Sequence, residues 1–180
     1  MVGRAALAGA AIGIGTGVVA RLAMRFLFVL NPDTRGVLVG GEFPVGGFTA
    51  QGTGVILTMG AVLGTIAGTI YGLVRPALLR HSFLSGLIFG GWLAATFLGL
   101  LVIGEDRDFR LFGPFAIAAG LFAVVFVAFG VGLGFAVERS GSTEPWQHAG
   151  KLRTIITRAI LALTALAGTI LLIQEAAART

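Results

Sequence analysis

Gly60-Ala61-Val62-Leu63-Gly64-Thr65-Ile66-Ala67-Gly68-Thr69-Ile70-Tyr71-Gly72 places a glycine at every fourth position of an otherwise apolar run. Residues four apart stack on one face of an α-helix, so Gly60, Gly64, Gly68 and Gly72 form a groove without side chains. Inside a water-exposed helix each glycine costs about 1 kcal/mol against alanine. In lipid the same residue lets a second backbone approach closely, and that approach is the reason to repeat it in register. A shorter copy, Gly9, Gly13 and Gly17, occupies the first apolar segment. Together the two ladders predict a helix–helix seam inside a membrane.

Composition supports the same class. The chain is 56% hydrophobic and 12% charged, against roughly 45–50% and 25% for soluble domains. The net charge of +5 does not signal nucleic acid, because the basic residues lie between apolar runs with no interleaved stacking aromatics. The absence of cysteine excludes disulfides, thiolate-bound metals and thiol catalysis.

A bilayer core is crossed by about 20 apolar helical residues. Five runs meet that length: Ala5–Leu30, Thr53–Val74, Ser82–Ile103, Phe112–Val137 and Leu152–Ile173. The first is long for a signal peptide and is followed by arginines rather than a cleavage site, so it is read as a retained span. The expected fold is an all-α integral membrane protein, a bundle of five transmembrane helices with glycine-zipper packing, in one domain over residues 1–180. Arg75, Arg80 and His81 follow the second span, and Arg139, Lys151 and Arg153 follow the fourth. The positive-inside rule then puts the N-terminus in the cytoplasm and the C-terminus outside. Between the first two spans, Asn31-Pro32-Asp33 ends a helix. Val37–Gly41 and Phe43–Val45 suggest a short hairpin or a re-entrant turn, with Pro44 against a regular central strand. Ser140–Pro145 is read as a turn leading into an interfacial helix, with Trp146 and Lys151 at the membrane surface.

Few residues offer chemistry. Arg21 and Arg25 share one face of the first span, and Arg21 lies about 25 Å along the helix from Arg4. Two readings stay open: snorkelling to head groups or loop carboxylates, or an anion or lipid-phosphate site facing the bundle interior. Phe122, Phe126 and Phe129 form a stripe on the fourth span, read either as ordinary packing or as a docking face for a partner. Gly130, Gly132 and Gly134 either loosen that helix or let it pack closely. Glu105, Asp106 and Asp108 alternate with Arg107 and Arg110 and read as a self-neutralised loop. His81 and His148 lie at the membrane boundary, where they suit neither haem nor a two-histidine metal site. Ser82, Ser85, Ser140 and Ser142 lack a histidine–carboxylate pattern, and Gly13-Ile14-Gly15-Thr16-Gly17 lacks the lysine of a phosphate loop. No catalytic residue, metal or cofactor is expected.

Several short motifs carry a resemblance. Arg21-Leu22-Ala23-Met24-Arg25, Val45-Gly46-Gly47-Phe48-Thr49, Leu73-Val74-Arg75-Pro76, Asp108-Phe109-Arg110-Leu111-Phe112-Gly113-Pro114 and Val137-Glu138-Arg139 occur in this order over residues 18–140. In these the chain resembles a group of small polytopic membrane proteins of unassigned function, common in actinobacterial genomes. The resemblance implies a bacterial cytoplasmic (inner) membrane location and brings no reaction, cofactor or site residue. The expected role is a non-enzymatic accessory subunit of a membrane complex or a homo-oligomer. Its partners would be lipids and other membrane subunits or further copies, and not nucleic acid. The alternative is a small channel or transporter for an anionic solute or lipid, using Arg21 and Arg25.

Overall fold

A computed structural model describes residues 2–30, 38–39, 43–44, 49–78, 81–104, 115–139 and 151–178. Five helices carry it: α1 (Val2–Leu30), α2 (Ala50–Val74), α3 (Ser82–Gly104), α4 (Phe115–Arg139) and α5 (Lys151–Ala178). All five are long and apolar enough to cross a membrane. Apart from the helices, β1 (Leu38–Val39) pairs antiparallel with β2 (Phe43–Pro44), Leu38 opposite Pro44. Proline is tolerated there because it terminates a two-residue edge.

Local chemistry sets the helix ends. Thr49 is extended and its side-chain oxygen accepts from the Gly52 N–H at 3.1 Å, capping one of the orphan donors of α2. At the other end Pro76 has no N–H to continue the ladder, and α2 tightens into a 3-10 turn over Arg75–Ala77 before Leu78 leaves in an extended conformation. The helix bounds differ from the expected spans mainly by extension: α1 and α2 each begin three residues earlier, and α5 continues past Ile173 to Ala178. The start expected at Phe112, the acidic loop 105–110, and the segment 140–150 with His148 lie outside the described residues.

Neighbour relations run α2–α1–α4–α3–α5, with the most extensive packing between α1 and α2 and between α3 and α4. Both pairs are antiparallel: Gly9 faces Gly64 while Gly13 faces Gly60, and Gly86 faces Gly130 while Gly134 faces Ser82. By contrast α5 runs parallel to α3, since Trp92 meets Thr164 and, farther along both helices, Gly99 meets Gly168. The core has two parts. Ala5, Tyr71, Phe89, Leu93, Phe129, Leu133 and Val137 fill the end where α1 begins. Leu27, Leu98, Ala118 and Phe122 fill the opposite end, and Phe126 packs against both.

Two side-chain bridges tie the helices together inside these apolar surroundings. The Tyr71 hydroxyl of α2 is 2.8 Å from the Ser85 hydroxyl of α3, and Ser85 donates to the Ser82 carbonyl at 3.0 Å. With the serine proton so placed, Tyr71 is the donor between the two hydroxyls. Trp92 Nε1–H of α3 donates to Thr164 Oγ1 of α5 at 2.8 Å. Where hydrocarbon surrounds such groups, separation leaves donor and acceptor without water. Trp92→Phe and Thr164→Val should each destabilise the protein in detergent. The double variant should lose less than the sum, with a coupling of about 0.6 kcal/mol and at most ~1.7. Strict additivity in thermal unfolding would remove the bond from the account.

Candidate functional site

The predicted ladder glycines are brought together at one place, the α1/α2 seam. A Cβ on Gly9 would fall on the Gly64 carbonyl oxygen and 2.9 Å from the Gly68 Cα. On Gly64 it would fall on the Gly9 oxygen, so the relation is reciprocal. Gly13 and Gly60 repeat the exchange, with 2.5 Å from a Gly60 Cβ to the Gly13 oxygen, and Gly68 meets the Ala5 carbonyl. The seam relaxes at its ends, where a Cβ on Gly17 would lie 3.2 Å from the Ile56 oxygen and one on Gly72 would lie 3.1–3.2 Å from Ala5 and Val2. Each central glycine therefore points a Cα hydrogen at an opposing carbonyl. Such Cα–H···O contacts contribute about 0.5–1 kcal/mol each.

Two further seams belong to residues that the sequence reading did not pair. Between α3 and α4, a Cβ on Gly86 would lie 2.5 Å from the Gly130 oxygen, and one on Gly90 would lie 2.8 Å from the Val127 Cα. A Cβ on Gly134 would lie 2.5 Å from the Ser82 oxygen, whereas Gly132 turns the other way, toward Ile12 of α1. Gly130 and Gly134 thus pack α4 closely on α3. Between α3 and α5, a Cβ on Gly99 would lie 2.6 Å from the Gly168 oxygen, and Gly168 faces Ala95 and Thr96. The four-residue spacings Gly86/Gly90 and Gly130/Gly134 were a usable signal; the isolated Gly99 and Gly168 offered none.

Burial decides between the two readings of the phenylalanine stripe in favour of ordinary packing and corrects the docking face. Phe122 and Phe129 are buried, and Phe126 stacks on Phe97 with ring centroids 6.2 Å apart. Leu27 of α1 and Leu98 of α3 share the Phe122 cluster, and Phe89 and Leu93 of α3 share that of Phe129. A docking face needs accessible rings, and these fill the core between α1, α3 and α4. Phe135 of α4 is exposed instead.

Arg21 and Arg25 lie beyond the glycine seam, toward the end where α2 begins. Arg21 is half-buried, while Arg25 is exposed with its guanidinium carbon 5.2 Å from the Phe28 ring centroid. That is cation–π range, and it places Arg25 along its own helix rather than in the bundle interior. His81 is exposed beside the start of α3. Among the described residues no three His, Cys, Asp or Glu side chains group in a way that would hold a metal ion.

A bulky side chain should separate the central seam. Gly64→Leu is expected to cost about 1–3 kcal/mol or more in thermal unfolding, as overpacking does. Gly15→Leu, at a glycine whose Cβ meets nothing within 4 Å, should leave stability unchanged. Equal midpoints for both variants would refute the seam. Comparison with protein-family models, curated proteins and solved structures finds no match for this chain.

Proposed function

We propose that the chain is an integral membrane protein with a structural role. In this reading its five-span bundle, closed by glycine zippers, serves as an accessory subunit of a larger membrane assembly or as a homo-oligomer. The observation that carries the reading is how the spans use their polar groups. Thr16, Thr65, Thr69, Thr164 and Thr169 each donate to a carbonyl one turn earlier in their own helix. Tyr71–Ser85 and Trp92–Thr164 join neighbouring helices. Thr96 Oγ1 is the one buried side-chain oxygen without a hydrogen-bond partner among the described residues. Polar atoms committed to packing in this way support a protein whose work is assembly rather than chemistry.

The outer surface supports the membrane half of the proposal. Val55, Met59, Val62, Leu63 and Ile66 of α2 are exposed, as are Ile160, Leu163, Leu166 and Ile173 of α5. Contiguous apolar surface on this scale marks a membrane or a protein interface. The basic loops favour the N-terminus inside and the C-terminus outside, and the resemblance noted above implies a bacterial cytoplasmic membrane.

Extraction from native membranes into polymer-bounded discs, followed by native mass measurement, tests the assignment. The expected particle contains more than one copy of the 18.5 kDa chain or a second membrane protein in fixed ratio. A single copy accompanied by lipid alone would overturn it, and release of the chain from membranes by alkaline carbonate would overturn the membrane reading itself.

A further inference from the structure

Arg158 is a charged residue in an apolar place. It lies within the candidate span Thr154–Gln174, about two turns into α5. Its own side chain is exposed, and Ile155, Ile156 and Ile160 beside it are exposed as well. Its Nε–H donates to the Ala77 carbonyl at 2.8 Å. Ala77 ends the 3-10 turn that follows α2, where carbonyls lack intrahelical donors and carry the negative end of the helix dipole. One of five guanidinium N–H groups is engaged there. Among the described residues no carboxylate ion-pairs with Arg158.

The Ala77 bond engages the Nε–H of the exposed side chain and leaves its Nη edge for other acceptors. That fork matches two oxygens of a phosphate. An arginine on a lipid-facing helix near the interface meets head groups by snorkelling, and a phosphate is the group there that neutralises it. The same end of the bundle carries exposed Arg4 and Arg139 and half-buried Arg75 against the exposed carboxylate Glu138, and Lys151 and Arg153 precede Arg158 on α5. Their combined charge favours a lipid with net negative charge over a zwitterionic one.

We propose that the junction of α5 with the 3-10 turn Arg75–Ala77 binds the phosphate of an anionic phospholipid, with Arg158 as its ligand. The proposal rests on the membrane reading above. Full-length protein is placed in nanodiscs of phosphatidylcholine alone or with added phosphatidylglycerol, and retained lipid and thermal midpoint are measured. Wild type should enrich phosphatidylglycerol over the bulk mixture and gain stability from it. Arg158→Gln should reduce the enrichment about fivefold and abolish the gain, while Arg158→Lys should keep part of both. Retained enrichment in Arg158→Gln would overturn the site. Equal destabilisation of that variant in both mixtures, with the phosphatidylglycerol-dependent gain intact, would reduce Arg158 to a structural tether and also overturn it. Inorganic phosphate that reproduced the gain in phosphatidylcholine discs would overturn the lipid assignment. Wild type that failed to enter discs at all would instead defeat the membrane reading.

Discussion

The closeness of the α1 and α2 backbones is the constraint to which the other helices adjust. In the membrane reading proposed above, pairing brings the helices no hydrophobic gain, because an acyl chain covers leucine as well as another leucine does. Close dispersion contact and polar backbone contact must supply the attraction instead. Both require small residues at the crossing. The reciprocal meetings of Gly9 with Gly64 and Gly13 with Gly60 satisfy that requirement in two successive turns. They also fix the axial register of the hairpin, since a shift of one residue would drive a neighbouring side chain into a carbonyl.

With that register set, α1 presents its other side to α4, where Ile12 meets Gly132 and Leu27 joins Ala118 and Phe122. Phe126 then links the two core clusters along α4, so side-chain volume takes over where backbone contact ends. The bundle therefore combines two packing modes. Glycine seams hold each antiparallel hairpin, and aromatic packing joins one hairpin to the other through α1 and α4.

These modes differ in how far the sequence reveals them. The α1/α2 seam was legible because seven glycines repeat at the helical period in two adjacent spans. The approximate extents of the five helices were legible because the length of an apolar run survives without knowledge of contacts. Which of its two readings the phenylalanine stripe follows was not legible, for a physical reason. In a water-soluble helix an apolar face points inward, but in a helix set in hydrocarbon, as proposed for this chain, both faces are apolar and the pattern loses its direction. Phe122 and Phe129 are interior while Phe135 is exposed, and composition cannot separate them. Bridges such as Trp92–Thr164 were hidden for another reason, since their partners are 72 residues apart and neither residue has a distinctive neighbourhood.

The attachment of α5 combines contacts of different kinds, beside the packing of Leu172 on the Phe122 cluster. Most of its circumference faces outward, and it is joined to α3 and the 3-10 turn at three levels. Arg158 holds the Ala77 carbonyl near its start, Thr164 holds Trp92 farther along, and Gly168 seats the backbone against Ala95 and Thr96 beyond that. One point would leave rotation free and two would leave the helix able to roll about the line between them. Three points at successive depths, two directional and one steric, fix depth, rotation and tilt together. A helix running parallel to α3 has no short loop to hold it there, so these side chains supply what the turn supplies in an antiparallel hairpin.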